Sequence, residues 1–362
     1  MVSCATEIDF RFLLHGVDTV QVCYYFFPGP GSGIDFDALG VERERLRSQK
    51  KIQATPIVIG DQEFLLSPNG SSSGYPFVLR NADFQIACGP FNTPPFYVTF
   101  RSEALWRDGV CVLHQRFTDW ARSLGYAAAK PEKLSRIDIC FDYFLSALDF
   151  DEDNFVSLSS KDRQHREGRR IQTFTFGKSD IVLRVYDKVA EIYQQSAKVW
   201  MFDLWGIDAN VWRVEWQCRK DILKRFGIVT FAEWEYLQGD LLRYLATEHD
   251  TLRVKVADVN RSRWPLHPLW KDLQSRVADL EGQGVYRVDG RAAGLREQNQ
   301  RLIIMVYGYL KRHAALYAAR HDGKIENVRH AISVLAGDLV KVHDPLTWDL
   351  EVTQRLKEIQ LG

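Results

Sequence analysis

Three short segments near the middle of the chain place polar side chains at every second residue inside apolar runs. They are Arg136-Ile-Asp138-Ile-Cys140-Phe-Asp142, Arg184-Val-Tyr186-Asp187-Lys188 and Arg213-Val-Glu215-Trp-Gln217. A period of two predicts β-strands with one buried face, because side chains at i, i+2 and i+4 of a strand share a face. If the three strands are neighbours, their acids, tyrosine and lysine meet on the polar face of one sheet. Such a cluster favours metal-assisted phosphodiester chemistry.

The length of 362 residues predicts more than one subdomain, and 46% hydrophobic with 26% charged residues is ordinary for a folded protein. We expect a strand-rich N-terminal subdomain over residues 1–125, a subdomain with the three segments over 126–255, and a helical region over 256–362. The predicted class is α+β. Its centre is a curved, mainly antiparallel sheet with helices on one face, followed by a helical C-terminal extension.

Two further segments have a predicted local structure. A helical rhythm of apolar residues predicts one helix from Arg107 to Leu124. Within the stretch from Ser157 to Arg170, the basic run from Lys161 to Arg170 is predicted as a loop that leads into the tyrosine strand.

The formal net charge is zero, with 47 basic and 47 acidic residues, which excludes a uniformly basic nucleic-acid binder. Any DNA contact must therefore come from local patches. One candidate patch is the predicted loop, and the helical C-terminal region is another; a solvated charge run remains an equal alternative for the loop. The candidate DNA-binding residues of the loop are Lys161, Arg163, Arg166, Arg169 and Arg170.

Cysteine spacing and hydropathy exclude several other classes of protein. The six cysteines form no C-x-x-C pair, so neither a zinc knuckle nor a disulfide framework is indicated. The first residues lack the pattern of a signal peptide, and the chain has no run of 18 apolar residues. We therefore expect a cytoplasmic protein without a membrane span.

The acids of the three segments are candidate metal ligands. Carboxylate oxygens suit Mg²⁺ or Mn²⁺ better than zinc. Asp138 and Asp142 lie four residues apart, about 13 Å along a strand at ~3.3 Å per residue, which is too far for one ion unless the strand bends. We expect Asp138 and Glu215 to hold the ion, with Asp142 as a third candidate. The alternative for each acid is a salt bridge with one of the arginines of the same segments.

Tyr186 is the candidate nucleophile. A phenol titrates near pH 10 and needs help to react at neutral pH. A cation-bound phosphate and the ammonium of Lys188 would both favour the phenolate. Attack on a DNA phosphate would give a phosphotyrosyl link and a free 3′-hydroxyl. The alternative is a structural tyrosine; Tyr143 and Tyr193 are weaker candidates, one on the opposite face and one on a helix.

The same residues resemble a known family. Ser135-Arg-Ile-Asp-Ile-Cys-Phe-Asp142, the run from Phe176 to Glu191 that contains Arg-Val-Tyr-Asp-Lys, and Trp212-Arg-Val-Glu215 are similar to the replication initiation factor family. Its members are Rep_trans-type rolling-circle initiators of plasmids and filamentous phages and related nickases of conjugative elements. The resemblance spans about residues 90–270.

The resemblance implies a relaxase-like enzyme that nicks and rejoins one strand at a replication origin with a tyrosine and a divalent metal. It implies that Tyr186 is the nucleophile, that Lys188 and Arg184 contact phosphate, and that the acids are site residues: Asp138, Asp142 and Glu215. The implied partners are double-stranded origin DNA, single-stranded DNA at the nick and a host helicase; a homodimer is left open. The His-hydrophobic-His pair of many other rolling-circle initiators is absent from this sequence.

Two further hypotheses compete with the nicking enzyme. One is an origin-binding initiator without catalytic activity that recruits a helicase, and the other is a metal nuclease that uses water while Tyr186 is structural. A covalent protein–DNA adduct distinguishes the first hypothesis from both alternatives.

Overall fold

The computed structural model describes residues 9–49, 54–159, 162–167, 170–280, 291–321, 327–345 and 347–361. Two compact units are present, Met1–Glu297 and Gln298–Gly362. The strands are β1 (Phe10–Pro28), β2 (Thr55–Ile59), β3 (Gln62–Leu66), β4 (Phe77–Arg80), β5 (Phe84–Cys88), β6 (Phe96–Phe100), β7 (Tyr126–Leu145), β8 (Phe155–Ser157), β9 (Asp162–Glu167), β10 (Arg170–Phe176), β11 (Ile181–Asp187), β12 (Val211–Arg219) and β13 (Asp250–Leu252).

Helices connect these strands and continue along the chain after the last strand. The α-helices are α1 (Phe36–Arg47), α2 (Ser102–Asp108), α3 (Val110–Ser123), α4 (Lys188–Glu191), α5 (Trp200–Trp205), α6 (Lys220–Arg225), α7 (Phe231–Tyr244), α8 (Pro268–Ala278), α9 (Arg291–His321), α10 (Val328–Val342) and α11 (Trp348–Leu361). Short π-helices extend α4 and α7, and short 3₁₀ turns span Glu152–Asn154 and Arg261–Arg263.

Eleven of the described strands form one sheet, in the order β2-β3-β4-β5-β6-β1-β7-β12-β11-β10-β9, and β13 and β8 form a second, two-stranded sheet. Every described pairing in the large sheet is antiparallel. At its centre the 19-residue strand β1 pairs along its length with the 20-residue strand β7. The three alternating segments lie in β7, β12 and β11, which are consecutive in the sheet.

The hydrophobic core of the first unit lies where α3, α7 and α8 cover the sheet. Large aromatic side chains from these helices are almost fully buried against strand residues, among them Phe117, Trp234 and Trp270. Burying that much apolar surface is the main stabilising term for such a unit. The α+β class, the antiparallel sheet and the helices at the C-terminal end of the chain are confirmed.

The predicted helix over 107–124 is two helices. α2 ends and α3 begins on either side of Gly109, whose φ of 82° breaks the helical path. This conformation favours glycine, because a Cβ makes positive φ costly. The apolar rhythm was right for α3, but no rhythm reveals a turn at a single residue.

The predicted loop over 161–170 is also wrong, because residues 162–167 form β9, the edge strand that pairs with β10. Arg163 and Arg166 lie on β9 and Arg170 starts β10, whereas Lys161 and Arg169 lie outside the described residues. Every residue of β9 is polar, so its sequence has no alternation of apolar and polar residues that would predict a strand.

The predicted boundaries at residues 125 and 255 remain predictions. The large sheet itself continues across residue 125, since β1 pairs with both β6 and β7. No helix among the described residues combines the length and the apolar character needed to cross a membrane.

Candidate active site

The register of β7, β12 and β11 determines which polar side chains become neighbours. Gln217 lies opposite Asp138, and Glu215 lies between Cys140 of β7 and Arg184 of β11. Directly paired residues of antiparallel strands share a face. The alternating pattern of three separate segments therefore becomes one polar surface.

This polar surface forms one wall of a cavity of about 390 Å³. The other wall comes from the segment after β11, which begins as α4, and from β1. The charged residues of the lining are Asp18, Arg136, Asp138, Arg184, Asp187, Lys188, Glu191, Lys198 and Glu215, and Tyr186 belongs to the same lining.

The phenol of Tyr186 is hydrogen-bonded to a buried acid. Its hydroxyl donates to Glu215 Oε2 over 2.8 Å, and Glu215 Oε1 accepts from Arg184 Nη1 over 3.1 Å. Burial raises the pKa of Tyr186 well above its ordinary value, and the carboxylate of Glu215 raises it further. The sequence suggested that Lys188 would favour the phenolate, but in this structure the phenol is held in its protonated form with a proton acceptor already in contact.

Asp138 is the second acid that faces the cavity. It is only 2% exposed, and Arg136 Nε donates to its Oδ1 over 2.7 Å. Burial raises the pKa of Asp138 to about 6; Arg136 opposes that rise and the nearby charge of Glu215 adds to it. Asp138 and Glu215 therefore repel each other across the site, and an additional positive charge between them would relieve that repulsion.

Lys188 begins α4 at the end of the tyrosine strand, with Asp187 as the N-cap. Its Nζ lies 5.5 Å from the centroid of the Tyr186 ring and 2.6 Å from Glu191 Oε2. Burial lowers the pKa of Lys188, and the neighbouring charge of Arg213 lowers it further. A buried ammonium with a lowered pKa gives up its proton more readily than an exposed lysine does.

The structure does not bring Asp142 to the cavity. Asp142 is fully buried, and its two oxygens lie 2.7 Å from Arg213 Nε and 2.8 Å from Nη2. Trp205 Nε1 donates to the same carboxylate over 2.9 Å. The salt bridge that the sequence left open as the alternative is present for all three acids: Asp142 pairs with Arg213, Asp138 with Arg136 and Glu215 with Arg184. Of the three, Asp142 is the one that does not line the cavity.

The sequence analysis missed Asp18 and Lys198, which close the cavity on the side of β1. Asp18 sits at an irregularity of β1, between Val17 and Thr19, and accepts from Lys198 Nζ and Arg213 Nη1, each over 2.9 Å. These cations hold the pKa of Asp18 well below its ordinary value in spite of its burial. A lone acid within the long apolar run of β1 was the available signal, because a buried acid needs a partner.

The carboxylates that line the cavity are ligands of the kind that a magnesium or manganese ion binds. Within the described part of the chain, no three His, Cys, Asp or Glu side chains come together as a complete ligand set. Mg²⁺, however, commonly keeps several waters and binds through one or two carboxylates plus a substrate phosphate. Asp138 and Glu215 would provide two such carboxylates, and in this structure each is bound to an arginine, Asp138 to Arg136 and Glu215 to Arg184.

Few known proteins are similar to this chain. No family model matches it, and no curated protein does. Among solved structures it is similar to the one titled "Structure of Rolling Circle Replication Initiator Protein from Geobacillus stearothermophilus", with 18% sequence identity and a TM-score of 0.43. That match covers 76% of this chain and 99% of the other. A likeness at this level does not show the family, so the functional argument rests on the site itself.

Proposed function

We propose that this protein is a rolling-circle replication initiator that nicks and rejoins one strand of its origin through Tyr186. The observation that carries the proposal is the hydrogen bond of 2.8 Å between the Tyr186 hydroxyl and the Glu215 carboxylate, two residues of a cavity whose lining contains both cations and acids. The assignment to replication draws on the resemblance of the three strand motifs to that family.

The geometry supports a direct role for Glu215 as the base. As the phenol oxygen of Tyr186 forms a bond to phosphorus, its proton passes to Glu215 Oε2, so a free phenolate is never required. The bond between phosphorus and the 3′-oxygen breaks, and the ammonium of Lys188 supplies the proton to that oxygen. The products are a 5′-phosphotyrosyl link and a free 3′-hydroxyl, and attack by this hydroxyl on the link rejoins the strand and restores the phenol.

The cations of the lining position the phosphate. Arg136, Arg184 and Lys198 line the same cavity as Tyr186, each bound to an acid, and in this proposal they bind the phosphate. Arginine binds phosphate oxygens in a fixed, two-pronged geometry. A Mg²⁺ or Mn²⁺ held by Asp138 and Glu215 would neutralise charge that develops on the phosphate. Asp142 acts indirectly in this proposal, because it fixes Arg213.

Two of the proposed partners follow from this reaction, namely double-stranded origin DNA and single-stranded DNA at the nick. A host helicase is proposed only because the family resemblance implies it, and a homodimer is left open. The basic residues between positions 161 and 170 remain proposed DNA contacts: Lys161, Arg163, Arg166, Arg169 and Arg170.

The proposal is tested on a supercoiled plasmid that carries the DNA flanking the coding sequence, with Mg²⁺ or Mn²⁺. Wild-type protein should give nicked circles with protein covalently attached at the 5′ end, and Tyr186→Phe should give neither while it still binds the plasmid. Tyr193→Phe is the matched control, because Tyr193 is 68% exposed and lies outside the cavity lining. Nicking by Tyr186→Phe at the wild-type rate would refute the nucleophile.

One observation favours a second candidate, an origin-binding initiator without nuclease activity. The raised pKa of Tyr186 is also what a structural tyrosine buried against an acid would show. That candidate predicts origin binding without an adduct and without an effect of chelators. A nick that carries a free, labellable 5′-phosphate would instead indicate a nuclease that uses water.

A further inference from the structure

Beyond the cavity, the outward side of β1 is partly accessible among the described residues. Along the second half of β1 every second side chain enters the core, namely Val20, Val22, Tyr24 and Phe26. The residues between them face the other way and are partly or largely accessible, and Phe27 is 46% exposed. This outward row is Gln21, Cys23, Tyr25 and Phe27.

The neighbouring strands place lysines and a second tyrosine on this outward face. The register sets Lys130 of β7 opposite Tyr25, Lys133 opposite Cys23, and Tyr97 of β6 opposite Cys23 on the other side. Lys130 Nζ lies 3.8 Å from the centroid of the Tyr25 ring, and Lys133 Nζ lies 6.0 Å from it. We call this surface the tyrosine–lysine face and define it as Tyr25, Tyr97, Lys130, Lys133, Arg219 and Lys220.

The positive charges of this face are not neutralised within the described part of the chain. Lys133, Arg219 and Lys220 are exposed there and have no ion pair among the described residues. Burial raises the pKa of Cys23, and the charges of Lys133 and Lys220 oppose that rise. Both ammonium groups therefore lie near the Cys23 side chain.

The tyrosine–lysine face is continuous with the cavity. Arg136 lines the cavity and lies in register between Gln21 of β1 and Arg219 of β12. The Tyr97 hydroxyl donates to Gln21 Oε1 over 2.8 Å. Tyr97 therefore lies close to Arg136, which is paired with Gln21. From Thr19 in the cavity lining to Tyr25 the strand runs six residues, about 20 Å at ~3.3 Å per residue.

We propose that the tyrosine–lysine face binds the single-stranded DNA that leads away from the scissile phosphate. This inference rests on the proposed function for the position of the nick, and it gives a role to the N-terminal strands. Flat aromatic rings beside unpaired lysines are the combination that binds single strands, because each base offers a face for stacking and each phosphate a negative charge. Lys130 rests on the Tyr25 ring and can move to a phosphate when a base stacks there.

The choice of a single strand over a duplex follows from shape. A duplex presents phosphates on its outside and hides the faces of its bases, so it could use the lysines but not Tyr25. The rings of this face lie beside the cations and not on a projecting helix or ribbon that could enter a groove.

The test measures DNA binding apart from cleavage, in the full chain with Tyr186→Phe. The probe is a fluorescently labelled 20-nucleotide single strand of mixed sequence, compared with the same strand annealed to its complement. Lys133→Glu/Lys220→Glu should weaken binding of the single strand by at least about tenfold and reduce the salt slope of log K by roughly 1.4, or about 0.7 for each phosphate contact. Lys255→Glu/Lys271→Glu is the control, because both lysines are exposed, lie outside the face and change the net charge equally.

The stacking part of the inference has its own pair of variants. Tyr25→Phe keeps the ring and should bind as the parent does, whereas Tyr25→Ala should bind the single strand roughly tenfold more weakly. Thermal unfolding of each variant shows whether the fold is retained, and a change in Tyr25→Ala that Tyr25→Phe shares would overturn the stacking role.

The outcomes separate this inference from the proposed function. Equal single-strand binding by the two double variants overturns the inference, as does a loss confined to the duplex, even when the wild-type protein nicks normally. Reduced single-strand binding by Lys133→Glu/Lys220→Glu alongside a wild-type protein that never forms an adduct supports the face and refutes the nicking proposal.

Discussion

Arg213 supports the site from inside the protein, and its removal should be costly. The guanidinium is fully buried between two acids, with Asp142 bound through two nitrogens at 2.7 and 2.8 Å and Asp18 through the third at 2.9 Å. Arg213→Leu would leave Asp142 with only the indole of Trp205 as a donor. Asp18 would still have Lys198. The uncompensated charge is therefore that of Asp142.

The magnitude follows from this geometry. Removing one partner of a buried ion pair costs about 3–5 kcal/mol, because the remaining charge keeps its desolvation penalty without its partner. A change of 1 kcal/mol shifts the melting temperature of a large domain by roughly 2–4 °C, so we expect a decrease of roughly 6–20 °C. Arg213→Leu combined with Asp142→Asn should be more stable than Arg213→Leu alone, since the buried charge is then gone.

The assay is thermal and urea unfolding followed by tryptophan fluorescence and circular dichroism, with coincident transitions as the condition for comparing free energies. Arg122→Leu is the matched control. Arg122 is 65% exposed and lies 3.4 Å from Asp119, and such surface pairs contribute about 0–1 kcal/mol. If Arg213→Leu destabilised the protein no more than Arg122→Leu does, or if Asp142→Asn gave no rescue, the reasoning about the buried charge would be wrong.

Two further predictions concern the acids of the cavity. In metal-free protein the pKa of Asp138 is raised to about 6, above its value in the unfolded chain, so the folded state binds the proton more tightly. The resulting contribution to the free energy of unfolding is fully present below about pH 4 and is lost as the pH rises through about 6. Asp138→Asn should flatten the pH dependence of urea unfolding in that window, and an unchanged slope would contradict the assignment. Glu215→Gln keeps an oxygen near Tyr186 but cannot take its proton, so single-turnover nicking should fall about 10²- to 10⁴-fold. Nicking by this variant at the wild-type rate would remove Glu215 as the base.

The sequence by itself determined that the three segments are strands and which of their side chains share a face. Period-two alternation is a local property of the backbone, and it survives whatever the strand pairs with. For that reason the sheet, the polar surface and the proximity of Tyr186 to Glu215 could be anticipated from Arg184-Val-Tyr186 and Arg213-Val-Glu215.

Only the tertiary structure decided which charges meet. Asp138 and Asp142 follow the same alternation, yet Asp142 pairs with the buried Arg213 whereas Asp138 lines the cavity. Asp18 joins them from a strand more than a hundred residues away in sequence, at an irregularity in the pairing with β7. Long-range register and bulges depend on how whole strands pack, and no local pattern encodes them. The pairing of acids with cations therefore had to come from the fold.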